Sequence, residues 1–194
     1  MRDTFNRMIG KTRYVVSRLF LNLNGSDVAP ILGILNREAR NAIDADGDLE
    51  AVGEGLVNIC QTLLQYDQYW HSASNEGDVF WKEGEAGDYF NELFTDSAQR
   101  YGADLDLDHG NQSLSLPVTR NVIIMITIAC EGEYPELETD LSNIAAMKEG
   151  LKAIINLHYK HKLRAIQVHF SPARLGDELT NDQLLEYYPE LIPF

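Results

Sequence analysis

Thr119 to Cys130 reads T-R-N-V-I-I-M-I-T-I-A-C, and this run limits the fold more than any other stretch. Val122, Ile123, Ile124, Met125, Ile126, Ile128 and Ala129 are apolar, most of them β-branched. The run is far shorter than the roughly 20 apolar residues a membrane-spanning helix needs. With Gly132 and Pro135 just beyond it, this composition predicts a strand buried on both faces. The segments that follow read as its cover. Glu131 to Glu138 is a loop, and Thr139 or Asp140 is placed to cap a helix. That helix carries Leu141, Ile144, Ala145, Leu151, Ile154, Ile155 and His158 on one face. Leu163 to Phe170 then alternates as a second strand, and Leu114 to Val118 adds an edge strand. Strand, helix and strand predict a βαβ unit with a right-handed crossover. Near the end, Thr180 and Gln183 have capping-box spacing, bracketed by Leu179 and Leu184 as a hydrophobic staple. Leu184, Leu185 and Tyr188 belong to the closing helix, which Pro189 stops.

Composition bounds the function. At 194 residues and 44% hydrophobic content, the chain can bury one full core. Sixteen basic against 30 acidic side chains give a net charge of -14, a field that repels nucleic-acid phosphates. No nucleic-acid partner is expected. Cys60 and Cys130 are far apart and sit among apolar neighbours, so they read as small buried hydrophobes in a reducing compartment.

Residues 1–25 break the acidic pattern. Arg2, Arg7, Lys11, Arg13 and Arg18 face only Asp3, and Phe5, Ile9, Val16, Leu19 and Leu23 recur at roughly helical spacing. This segment reads as a basic amphipathic arm. Two uses stand open: a surface for an anionic membrane or acidic partner, or a first helix packed on its own domain. Residues 26–194 then form a single α+β domain, helical over 26–103 and sheet-containing over 112–194. In the helical part, Ile31, Leu32, Leu35, Ala39, Ala42 and Ile43 trace one stripe. Asp46-Gly47-Asp48 closes that helix and opens another, bearing Val52, Leu56, Ile59, Cys60, Leu63 and Leu64. A third helix is predicted from about Asp78 to Arg100.

Candidate chemistry is sparse. Asp44-Ala45-Asp46-Gly47-Asp48 and Asp104-Leu105-Asp106-Leu107-Asp108 space carboxylates two apart. Both miss the glycine and the bidentate glutamate of a calcium-binding loop. His158 and His161 stand three apart without a neighbouring carboxylate or thiol in sequence, so they read as a basic helix end. No serine lies in a nucleophile elbow, and no glycine-rich phosphate loop precedes a helix. No cofactor and no catalytic residue is expected.

Phe170-Ser171-Pro172, then Asp177-Glu178-Leu179-Thr180-Asn181-Asp182-Gln183-Leu184-Leu185, then Tyr188-Pro189-Glu190-Leu191 resemble the C-terminal signature of the domain-of-unknown-function 1517 family. Ala129 to Gly132 is similar to the end of that family's hydrophobic strand, and Leu63-Leu64 with Tyr69-Trp70 to its earlier helix end. The resemblance covers residues 118–192 well and 28–71 more weakly. It implies a cyanobacterial or chloroplast setting, with association to thylakoid or envelope membranes. It supplies no catalytic residues, and this chain lacks the spanning segment common in the family.

The expectation is therefore an α+β domain: a helical N-terminal part packed on a small sheet with a βαβ core and a short C-terminal helix. Its function reads as a non-enzymatic interaction or regulatory module near photosynthetic membranes. The location expected is the cytoplasm, peripheral on the cytoplasmic side of thylakoids, with a protein partner. The rival expectation is an enzyme or small-molecule binder whose site is assembled only in three dimensions, around Trp70, Trp81 and nearby acids.

Overall fold

The computed structural model describes residues 12–25, 28–105, 121–172 and 179–194. Its sheet has five strands in the order β4-β3-β1-β2-β5, all paired antiparallel. The strands are β1 (Tyr14–Asn24), β2 (Trp70–Phe80), β3 (Asn121–Glu131), β4 (Leu163–Ser171) and β5 (Ile192–Pro193). The helices are α1 (Ala29–Asp44), α2 (Leu49–Gln65), α3 (Glu83–Leu105), α4 (Ile144–Tyr159) and α5 (Asn181–Tyr187). The α+β class stands.

β3 is buried on both faces along all but its last residue, as its composition requires. Val122, Ile124, Ile126, Ile128 and Cys130 join the core beneath α1, α2 and α4. Ile123 and Met125 point the other way, into a smaller cluster with Phe20, Leu179 and Tyr188 beneath α5. Ala129 meets Val16, Ala86 and Leu93 beneath α3. Three helices thus cover one face of the sheet and two cover the other.

Three sequence expectations are corrected here. The basic arm is not a separate unit: Tyr14–Asn24 is the central strand, paired with β2 on one side and β3 on the other. Val15, Leu19, Leu21 and Leu23 alternate into the main core, and this two-residue period outweighs the looser helical spacing. Arg2, Arg7 and Lys11 lie outside the described residues, as does the edge strand expected at Leu114 to Val118. Second, the region over 26–103 is not purely helical, because it contains β2, so α3 starts only at Glu83. Third, β3, α4 and β4 are not a parallel βαβ unit. Leu163 pairs with Cys130, so β4 starts beside the point where β3 ends. The loop after β3 crosses the sheet before α4 begins, and the helix brings the chain back. Asn75 of β2 pins that loop, donating to the Thr139 carbonyl (2.9 Å) and accepting from the Leu141 amide (2.7 Å). The helix consequently begins at Ile144, capped by Asn143 rather than Thr139 or Asp140.

Local signals elsewhere match the structure closely. Asp48 caps α2 by accepting from the Glu50 amide (3.0 Å). Thr180 accepts from the Gln183 amide (3.3 Å), and Gln183 accepts from the Thr180 amide (2.7 Å), completing the capping box of α5. Leu179 and Leu184 lie in one apolar cluster, as a staple requires. Thr180→Ala is expected to cost about 1 kcal/mol of stability. Urea unfolding followed by circular dichroism measures it, and an unchanged midpoint would remove the cap from the argument.

Candidate functional site

The most chemically pointed cluster lies where α2 meets the end of α4. Glu50 and Glu54 are one helical turn apart on α2, so they project to the same side. His158, in the last turn of α4, is buried with only 3% of its side chain exposed. Its Nε2 stands 3.2 Å from a Glu54 carboxylate oxygen and 3.8 Å from one of Glu50. His161 follows just beyond the helix, with Nδ1 3.2 Å from the other Glu50 oxygen. Its backbone is left-handed at φ 52°, a conformation more usual for glycine at a helix end. The ring of His158 lies directly on Gly53: a Cβ there would fall 2.3 Å from Nδ1. The carboxylates missing from the local sequence around His158 and His161 are therefore supplied from about a hundred residues away.

A second polar centre sits under α3. Arg18 is 2% exposed at the middle of β1. It pairs with Glu76 directly opposite on β2 and with Asp96 of α3 (2.7 Å), and donates to Ser97 Oγ (2.8 Å) and the Leu93 carbonyl (3.0 Å). Arg100 shares Asp96 (2.9 Å) and reaches Glu190 (2.5 Å) and the Tyr187 carbonyl (2.8 Å). Both guanidinium groups lie over the Phe20 ring, 4.7 and 5.5 Å from its centroid. Arg18, Glu76, Asp96, Arg100 and Glu190 line a groove of about 400 Å³. Burial opposes the charge on Arg100, but Glu190 and Asp96 outweigh it and raise its pKa. Close by on β4, burial and the Arg18 charge push His169 below its ordinary value.

The third feature is the outer edge of β4. Among the described residues this nine-residue strand pairs only with β3. Ile166, Val168 and Phe170 stand half-buried beside an apolar cleft of about 130 Å³, closed on the other side by Ala42, Val52 and Leu56. Glu38 forms part of its wall, buried and held by Arg37 (Nε, 3.0 Å) and Asn41 (3.0 Å).

The residues singled out in the sequence fare unevenly. Arg18 is interior, so it offers nothing to a membrane. Arg13 is committed to the Glu138 carboxylate and donates to the Gly132 carbonyl (2.9 Å). The hydrogen bonding of Arg13 to the Glu138 carboxylate is the main reason the Glu138 pKa is lowered. Cys60 and Cys130 are buried and free, and burial pushes both thiols up to about 12. Asp44 ends α1 and Asp48 caps α2, so the first acidic stretch is a helix-to-helix turn, with Asp46 at φ 48° and Gly47 at φ 84°. Asp106 and Asp108 lie outside the described residues. Trp70 and Trp81 are separated by the whole length of β2, and Trp70 is buried, donating to the Leu63 carbonyl (3.1 Å) and stacking on Phe194. They do not converge on a shared site. Among the described residues, no helix is long and apolar enough to cross a membrane.

Comparison with known proteins agrees with the C-terminal signature and extends it. Residues 13–194 match the family described as protein of unknown function, DUF1517, and the chain belongs to that family. The match takes in β1 and all of β2, of which the sequence motifs reached only the first residues. No curated protein and no solved structure matches the chain.

Proposed function

We propose that this DUF1517 protein is a non-enzymatic interaction or regulatory module that docks an extended segment of a protein partner, working near photosynthetic membranes. The observation that carries the docking reading is the β4 edge with its adjoining cleft. Among the described residues β4 pairs with β3 alone; an incoming strand can add to a sheet edge by main-chain hydrogen bonds, and pockets for alternate side chains supply specificity. Here Ile166, Val168 and Phe170 recur at every second residue beside an apolar cavity sized for one or two aliphatic side chains. The occupant of this site is an extended peptide with apolar residues at alternate positions. The membrane setting rests on the family resemblance.

Capture experiments with the full chain and two variants, Ile166→Lys and Phe170→Lys, test this reading. Thylakoid and soluble extracts are used in parallel, and each variant is checked by thermal melting. A protein retained by the parent chain, lost with either folded variant, and binding stoichiometrically when purified supports the proposal. Retention that is indifferent to both substitutions overturns the β4 edge as the docking surface.

A further inference from the structure

We infer that Glu50, Glu54 and His158 form a site for one divalent transition-metal ion, with His161 as a fourth donor. The donor atoms of Glu50, Glu54 and His158 all lie within 4.8 Å of one another. An ion bound at roughly 2.0–2.2 Å from each donor sets neighbouring donors about 3.5 Å apart. The contacts of 3.2 and 3.8 Å from His158 to the two carboxylates bracket that spacing. Glu50 and Glu54 are more than half exposed, so small rotations of their side chains bring both oxygens to the ion and leave it an entry path from solvent.

The donor types select the class of ion. Two carboxylates with one or two imidazoles suit zinc, manganese or iron, whereas calcium and magnesium favour oxygen-only shells. The imidazoles are also placed at local expense. Gly53 interrupts α2 with the residue least suited to a helix interior apart from proline, and its missing side chain is what admits the His158 ring. His161 occupies a left-handed position that costs any residue with a Cβ. The first aims a nitrogen at both carboxylates, and the second aims one at Glu50. The buried ring of His158 is held rigidly, and the exposed acids are the adjustable partners.

Titration calorimetry of the full chain with zinc sulfate tests the site, with cobalt absorption as an independent report of nitrogen and oxygen ligation. The expected result is saturable uptake of a single ion per chain, with calcium giving no matching heat. Glu54→Gln is expected to weaken zinc by about tenfold or more. His161→Gly is expected to weaken it less while leaving the melting temperature level or higher, because glycine suits that backbone. Glu85→Gln, in the first turn of α3, serves as a remote acidic control. Because Glu54 is exposed, its variant reports on the site even where replacement of buried His158 impairs folding. No saturable zinc binding, or zinc affinity unchanged by both Glu54→Gln and Glu50→Gln, overturns the site and leaves a hydrogen-bonded cluster.

Discussion

Arg18→Leu is expected to lower the stability of the chain by about 2–3 kcal/mol. The guanidinium is almost fully enclosed, donates charge-assisted hydrogen bonds to Glu76 and forms an ion pair with Asp96, so its loss removes both interactions at once. Leucine leaves the Ser97 hydroxyl, which is fully buried, without its 2.8 Å donor. It also leaves two carboxylates without the cation they share. Glu76→Gln should cost far less, about 1 kcal/mol or below, because that side chain is 42% exposed and water replaces much of the interaction. Equilibrium urea unfolding of the two variants decides the point. Equal losses from both would mean that the pair, rather than the enclosed guanidinium, dominates.

Gly77→Ala should destabilise the sheet by about 3 kcal/mol, whereas Gly33→Ala in α1 should stabilise the chain by about 0.5–1 kcal/mol. The chemical change is identical and the surroundings are opposite. A Cβ at Gly77 would lie 2.5 Å from the Val16 carbonyl oxygen and 3.1 Å from the Ser17 Cα. Those atoms are backbone of the central strand, so relief requires β1 and β2 to part where Ser17 pairs with Gly77. At Gly33 nothing lies within 4 Å, and alanine simply restricts the unfolded chain and favours the helix. Thermal melts of the two variants should move in opposite directions. A neutral Gly77→Ala would show that the strand pair has slack that the contacts do not suggest.

How much of this was legible in the residues depended on whether the signal was local. β3 was readable because a run with apolar side chains on both faces admits few interpretations. α1, α2 and the α5 capping box were readable because stripes, caps and turns are written within a few residues. β2 was not, since the face it shares with Arg18 calls for polar partners. Ser72, Ser74 and Glu76 lie on that face, and W-H-S-A-S-N-E-G-D-V-F carries little strand propensity. β1 was obscured by Arg18 itself, which looks like a surface residue until Glu76 and Asp96 are seen around it. The direction of β4 depended on a loop held across the sheet by one asparagine, a contact spanning more than sixty residues. For the cluster at α2, Glu50, Gly53 and Glu54 have the spacing of one helix face. Nothing near them announces a histidine from another helix.

The central place of β1 carries a consequence for how the chain is made. Leu19 lies between Asn75 and Ile126, so one neighbour follows some fifty residues later and the other about a hundred. During synthesis at roughly 5–20 residues per second, the middle of the sheet leaves the ribosome many seconds before β3 exists to cover it. Until β2 follows, Val15, Leu19, Phe20, Leu21 and Leu23 have no strand to pair with, and the side that meets β3 stays open until β3 is made. The central strand of the finished sheet is thus the one whose apolar side chains wait for both their neighbours.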